Sequence, residues 1–127
     1  MSYRILVIDD EEAVRKAFIL AFEDTEYIID TADSGEEGIV LNNKHKYDLI
    51  FLDLKMPGMG GIETLSIIRK TDTKTPIYII TAFYQEYAEQ LKMVEKRGVD
   101  FEVVRKPIDS ENLRLIVSGI LKTPAGY

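Results

Sequence analysis

Residues 48–58 read DLIFLDLKMPG, a stretch in which an apolar run ends abruptly at a carboxylate. The four apolar residues 49–52 are typical of a strand that is buried on both faces of a parallel sheet. The proline and glycines of segment 57–61 predict a turn directly afterwards. Asp53 is therefore expected at the carboxyl end of a central strand, where other polar groups of the chain should meet it.

Four more apolar runs alternate with stretches of helical periodicity. We predict strands at 4–8, 27–32, 49–52, 77–80 and 101–104. We predict helices from Glu11 to about Asp24, Ser34 to about Asn43, about Gly61 to Lys70, Tyr84 to Arg97, and onward from a cap at Asp109 or Ser110. This alternation favours an α/β fold, a doubly wound parallel sheet with helices on both faces and right-handed crossovers. The predicted strand order is 2-1-3-4-5, the flavodoxin-like arrangement, in which ligands bind at the carboxyl ends of the strands.

Local residue types also predict several element ends. Ser34 and Glu37 match a capping box at the start of the second helix, and Gly98 fits the C′ position that ends the fourth. The strand at 27–32 alternates more than the others, so it is expected nearer an edge of the sheet.

The composition is that of one globular domain. The chain has 127 residues, 46% hydrophobic and 30% charged, with a net charge of −6 and no cysteine. We predict a domain over residues 1–122 and a tail over 123–127. No apolar run approaches the roughly 20 residues of a membrane span, and no signal peptide is apparent. The lack of cysteine fits a reducing compartment, so a cytoplasmic location is expected. The acidic balance argues against nonspecific nucleic-acid binding by this domain.

Polar residues follow four of the predicted strands. Asp9 and Asp10 follow the first strand, Asp53 the third, Thr81 the fourth, and Lys106 comes just after the fifth. Three carboxylates this close repel one another unless a cation joins them. Their all-oxygen ligands favour Mg²⁺, which binds few carboxylates and keeps open positions for phosphate oxygens. The hydroxyl and the ammonium would complete a cradle for a phosphoryl group.

Each of these residues also has an ordinary alternative role. An aspartate after a strand often caps a helix or a turn, and a lysine before proline is commonly a solvated turn residue. The alternative requires five coincidences at one edge of one sheet. The set as a whole therefore predicts a phosphoryl-accepting site.

The chain resembles the receiver domains of response regulators, the CheY-like proteins of two-component phosphorelays. The resemblance covers nearly the whole chain, and four motifs in a fixed order carry it: IDDE at 8–11, DLKMPGMGG at 53–61, Thr81-Ala82 and Lys106-Pro107. It implies a signalling switch that catalyses its own phosphorylation and dephosphorylation rather than an enzyme. It also implies a histidine kinase or a histidine phosphotransfer protein as the donor, and an output partner on the face formed by the fourth and fifth helices.

The resemblance implies a metal site and a phosphoacceptor. Asp53 would accept the phosphoryl group. Asp10 and Asp53 would bind Mg²⁺ directly together with the backbone carbonyl of Lys55, and Asp9 would act largely through water.

By the same resemblance, Thr81 and Lys106 would bind the phosphoryl oxygens. A cis peptide bond is usual before the proline, here Pro107.

Two positions depart from the family pattern. Gly60 stands where an aspartate is common, which is expected to matter little. The family usually has a switch aromatic three residues before the lysine, but this chain has Val103 there. Phe101 lies two residues earlier on the same predicted strand face. The sequence leaves open whether Phe101 substitutes or whether no aromatic switch operates.

Two other classes of protein are alternatives for a site of this kind. A Mg²⁺-dependent phosphohydrolase of the haloacid-dehalogenase type also uses an aspartate after a strand, but it has a second aspartate two residues later as general acid. This chain has Lys55 there and no inserted cap domain. A flavodoxin-like cofactor binder needs a phosphate loop after the first strand, where the acidic segment 9–12 would repel phosphate.

The side chains two residues beyond Asp53 and Thr81 are expected to flank the approach of water to a phosphoryl group. These are Lys55, whose ammonium could bridge to a phosphoryl oxygen or fold away into solvent, and Phe83, whose ring could shield the group from water or pack elsewhere. Neither supplies an acid or base that would activate water. The sequence therefore predicts slow hydrolysis of phosphorylated Asp53.

Overall fold

The structure is a computed structural model and describes residues 2–121. Five parallel strands form one sheet in the order β2-β1-β3-β4-β5, which confirms the predicted order. The strands are β1 Arg4–Ile8, β2 Ile28–Ala32, β3 Leu49–Leu52, β4 Ile77–Thr81 and β5 Glu102–Arg105. The helices are α1 Glu12–Ala21, α2 Gly35–Lys44, α3 Gly61–Thr71, α4 Tyr84–Lys96 and α5 Ser110–Ile120. The predicted tail, 123–127, lies outside the described residues.

The core has two apolar layers, one on each face of the sheet. All four residues of β3 are buried, as its uninterrupted apolar run predicts. Leu49 and Phe51 belong to the layer beneath α1 and α5, whereas Ile50 and Leu52 belong to the layer beneath α2, α3 and α4. This alternation follows from the two-residue period of a strand. It places Asp53 at the end of the most buried strand.

Helix α1 ends at Ala21, three residues before the predicted limit of Asp24. Phe22 already has non-helical dihedral angles, and its carbonyl accepts a hydrogen bond of 2.6 Å from the Thr25 hydroxyl. A side chain that bonds the backbone in this way offers the chain a turn in place of another helical residue.

The residues predicted at the ends of α2, α4 and α5 lie at those ends in the structure. The Ser34 hydroxyl accepts from the Glu37 N–H at 3.1 Å, but the Glu37 carboxylate accepts from the N–H of Asp33, at 2.8 Å, and not from that of Ser34. The reciprocal bond of the predicted capping box is thus displaced by one residue. Asp109 caps α5, and Gly98 has φ +88°, as expected for a C′ glycine.

Gly61 lets α3 begin directly against the end of β3. A β-carbon at this position would collide with the backbone carbonyl of Asp53 and lie 2.6 Å from the α-carbon of Leu54. Both neighbours are backbone atoms, so a larger residue must displace the chain next to Asp53.

Gly61→Ala is expected to destabilise the fold by about 1–3 kcal/mol, the usual range for forced overpacking. Gly60→Ala is the matched control, since its β-carbon would lie 3.7 Å from the Leu54 carbonyl, an ordinary contact. Urea unfolding of both variants measures the difference. Equal unfolding free energies would contradict the steric argument.

None of the helices in residues 2–121 is both long enough and apolar enough to cross a membrane.

Candidate functional site

Backbone hydrogen bonds bring the predicted polar residues to one edge of the sheet. The Asp53 N–H donates to the Ile8 carbonyl at 2.9 Å, which places the end of β3 beside the end of β1. The Lys106 N–H donates to the Thr81 carbonyl at 2.8 Å, which does the same for β5 and β4. Every side chain predicted for the site therefore comes from this edge or from the loops that follow it.

Three carboxylates form the centre of the site. Asp9, Asp10 and Asp53 each offer an oxygen that lies within 4.8 Å of the other two. Asp9 and Asp53 are only 2% and 4% exposed, whereas Asp10 is exposed. The Asp9 carboxylate accepts from the Glu11 N–H at 3.0 Å, and its carbonyl accepts from the Arg15 guanidinium at 2.8 Å. This cluster can hold a metal ion through oxygen ligands.

The ammonium of Lys106 lies among these carboxylates. It donates to Asp9 Oδ2 at 3.0 Å and to Glu11 Oε1 at 3.2 Å, and it forms an ion pair with Asp53 Oδ1 at 3.5 Å. Its side chain is only 14% exposed. The peptide bond between Lys106 and Pro107 is cis, as the resemblance implied. The contact with Glu11 was not predicted, although Glu11 lies inside the IDDE motif.

Burial dominates the electrostatics of the cluster. Burial and the charge of Asp9 raise the pKa of Asp53 to about 6, against the lowering effect of Lys106. Burial also raises the pKa of Asp9. For Lys106, burial lowers the pKa, but the hydrogen bond to Asp9 and the charge of Asp53 outweigh it, so the net shift is upward. One ammonium thus incompletely compensates the surrounding carboxylates, and a further cation would be stabilised there.

Thr81 is fully buried at the end of β4. Its hydroxyl oxygen accepts from the Phe83 N–H at 2.9 Å, which fixes the oxygen in place. Among residues 2–121 the hydroxyl hydrogen has no acceptor. Thr81 can therefore still donate to a ligand at this edge.

Lys55 and Phe83, the two residues expected to flank the site, contact each other. The Lys55 ammonium lies 4.3 Å from the centroid of the Phe83 ring and 3.8 Å from Glu86 Oε1. The sequence had left open whether Lys55 turns toward a phosphoryl group or into solvent, and it instead rests on the start of α4. Phe83 remains 43% exposed.

Phe101 lies at the wrong end of the sheet to stand beside Thr81. Register pairs Glu102 with Tyr78 and Arg105 with Thr81, so Phe101 precedes β5 at its amino end. It is about 13 Å from the level of Thr81 along the strands. Val103 pairs with Ile79 and packs in the same apolar layer as Phe101. Neither residue places an aromatic ring next to the Thr81 hydroxyl.

The fold and this edge of the sheet define a class of signalling domain. The family described as response regulator receiver domain matches residues 5–118, and the chain belongs to it. This agrees with the strand order, the helices on both faces and the cluster of acidic residues beside a lysine. It favours the receiver over both the phosphohydrolase and the cofactor binder.

Two curated proteins are similar to this chain over nearly its whole length. The transcriptional regulatory protein ResD of Bacillus subtilis is 39% identical over 119 residues, which are 94% of this chain and 48% of ResD. The cell cycle response regulator CtrA of Brucella ovis is 31% identical over 128 residues, 98% of this chain and 52% of CtrA. The chain thus spans about half the length of these curated relatives.

Two solved structures share the fold. The response regulator TrrA of Thermotoga maritima, solved in complex with Mg²⁺-BeF, is 34% identical with a TM-score of 0.77, covering 94% of this chain and 99% of TrrA. The chemotaxis protein CheY4 of Vibrio cholerae is 26% identical with a TM-score of 0.82, covering 95% of this chain and all of CheY4.

Proposed function

We propose that this receiver domain accepts a phosphoryl group on Asp53, in a Mg²⁺-dependent reaction, from the phosphohistidine of a histidine kinase or a histidine phosphotransfer protein. The observation that carries the proposal is the placement of the nearly buried Asp53 carboxylate between two other aspartates and the ammonium of Lys106. Few other functions account for so many unneutralised carboxylates beside a buried hydroxyl and lysine.

The chemistry follows from the residues. A carboxylate oxygen of Asp53 attacks the phosphorus, the phosphorus–nitrogen bond of the donor breaks, and the imidazole leaves with the electron pair. The Thr81 hydroxyl hydrogen donates to one phosphoryl oxygen, and the Lys106 ammonium binds another. The product is an acyl phosphate on Asp53.

The carboxylates fit a resident Mg²⁺. Asp10 and Asp53 would bind it directly with the backbone carbonyl of Lys55, and Asp9 would act largely through water. When bound, the ion neutralises the charge that develops on the phosphoryl oxygens during transfer. The existence of a Mg²⁺-BeF complex of the Thermotoga relative supports this assignment.

The proposed signal leaves on the face formed by α4 and α5. Thr81 is the last residue of β4 and Lys106 is the first residue of the loop after β5. The segments that follow them lead into α4 and α5, so a phosphoryl group that binds both residues would bias the positions of these helices. We propose an output partner on this face, no direct nucleic-acid binding by this domain, and a cytoplasmic setting.

The phosphorylated state should be long-lived for this family. Ala82 is small and would leave the site open to a partner's histidine. The Lys55 ammonium lies 4.3 Å from the centre of the Phe83 ring, and in this proposal the pair hinders the approach of water without supplying a base. Phe83→Ala and Lys55→Ala are each expected to speed the decay several-fold. Met93→Ala, a change of an exposed apolar side chain in α4, the helix that begins just after Phe83, is the control. The decay rate of phosphorylated protein in Mg²⁺ tests this, and unchanged decay in both variants would refute the shielding role.

Incubation with acetyl phosphate tests the proposed function. With Mg²⁺, intact mass spectrometry should show the addition of one phosphoryl group, and chelation of the metal should prevent it. A protein that instead hydrolyses acetyl phosphate with rapid turnover, without retaining the group, would be a phosphohydrolase. A protein that does neither would not be a phosphoacceptor.

A further inference from the structure

Lys106 is shared among three carboxylates that differ in burial. Asp9 and Asp53 are nearly buried, with side chains 3% and 5% exposed, whereas the Glu11 side chain is 61% exposed. The ammonium is nevertheless closer to Glu11, at 3.2 Å, than to Asp53, at 3.5 Å. The exposed Glu11 side chain thus contributes to the position of the largely buried Lys106 side chain.

Glu11 occupies the N-cap position of α1 but does not cap the helix with its side chain. The Glu11 N–H donates a hydrogen bond to the Asp9 carboxylate. The Glu11 carboxylate extends across the site to Lys106, a residue 95 positions away in the chain. The Glu11 carboxylate therefore serves the contact with Lys106 and not the capping of α1.

We propose that Glu11 is a positioning residue that holds the Lys106 ammonium on the β1 side of the site until Asp53 is phosphorylated. The inference rests on the proposed function, because it assigns a resting partner to the lysine that would bind the phosphoryl group.

The geometry gives the reason. Two of the three ammonium hydrogens are engaged by Asp9 and Glu11 in hydrogen bonds, and the contact with Asp53 is a longer ion pair. In this proposal the ammonium moves toward β3 and away from Glu11 when it binds a phosphoryl group on Asp53, because its contact with Asp53 is the longest of the three. Asp9 belongs to the same carboxylate cluster as Asp53, so in this proposal its hydrogen bond to Lys106 persists through the shift, whereas the contact with Glu11 lengthens. Glu11 therefore opposes the activated position of Lys106.

Glu11→Gln removes the charge of this contact and keeps the length of the side chain. Glu12→Gln is the matched control, because it removes the same charge from the start of the same helix. Within residues 2–121, Glu12 pairs only with Lys16, at 3.6 Å on the exposed surface. The probe is beryllium fluoride with Mg²⁺, which imitates a phosphoryl group on the aspartate. Glu11→Gln is expected to bind it roughly two- to fivefold more tightly, the range for losing one partly exposed ion pair, and Glu12→Gln should match the parent.

A second readout needs neither metal nor probe. The NMR resonances of the Lys106 side chain, recorded in the metal-free protein, should shift in Glu11→Gln and stay in place in Glu12→Gln. In a Lys106→Ala background, Glu11→Gln should no longer alter probe affinity. These results would show that Glu11 acts through Lys106.

Three outcomes overturn the inference: Lys106 resonances that are identical in the parent and Glu11→Gln, an affinity that falls or stays the same in Glu11→Gln, or an equal gain in Glu12→Gln. Failure of the parent itself to bind beryllium fluoride would refute the proposed function instead, and the metal-free resonances would still decide whether Glu11 positions Lys106.

Discussion

Asp53→Asn is expected to reduce phosphorylation by acetyl phosphate to the background of the reaction, because an amide is a poor nucleophile. The replacement has nearly the same shape, and Asp53 lies at the end of the most buried strand, so the fold should persist. Intact mass spectrometry after incubation with acetyl phosphate and Mg²⁺ measures the loss. Phosphorylation of the variant at the parent rate, with the label elsewhere, would refute the assignment of Asp53.

The same variant should be more stable than the parent when metal is absent. Burial raises the pKa of Asp53 from 3.8 to about 6, so the folded protein binds protons more tightly than the unfolded chain. The ionised carboxylate then lowers stability as pH rises from about 4 to about 6, and the amide lacks this charge. A gain on the order of 2 kcal/mol at pH 7 that disappears near pH 4 would separate lost chemistry from misfolding. Asp33→Asn, at an exposed aspartate after β2, should change neither property.

Asp10→Ala is expected to weaken Mg²⁺ binding on the order of 100-fold. Asp10 is the exposed member of the three-carboxylate cluster, so its removal should cost little packing and act mainly on the ligand set. Isothermal titration calorimetry measures the affinity, with Glu12→Ala as an acidic control outside the cluster. Unchanged affinity in Asp10→Ala would refute its assignment as a ligand.

The same titration measures how the Mg²⁺ affinity of the unmutated protein depends on pH. Protons compete with the metal for Asp53, and the raised pKa of that residue is about 6. Mg²⁺ affinity should therefore be nearly constant above pH 7 and fall steeply as pH drops through 6. A flat profile between pH 7 and pH 5 would mean that Asp53 is not a ligand.

The sequence predicted the sheet and the set of polar groups because both follow from short-range patterns. The run 49–52 is apolar without interruption, and only a central strand buries all of it. Parallel connections then place the residues after β1, β3, β4 and β5 at one edge whatever the details of the helices. The placement of Asp9 and Asp53 at one edge depends on nothing finer than this.

The contacts of the long charged side chains could not be predicted from the sequence. Glu11 and Lys106 are 95 positions apart in the sequence. The direction of each side chain depends on neighbours that only the folded structure brings together. Lys55 had two expected directions and took a third, over the ring of Phe83. The early end of α1 coincides with a local contact, the hydrogen bond from the Thr25 hydroxyl to the Phe22 carbonyl.

The position of the phosphoryl group tests the central claim most directly. After incubation with acetyl phosphate and Mg²⁺, reduction with borohydride converts an aspartyl phosphate to homoserine, and peptide sequencing then locates it. Homoserine is expected at position 53 and at no other aspartate. Homoserine at Asp9 or Asp10, or none at all in a protein that has gained the phosphoryl mass, would contradict it.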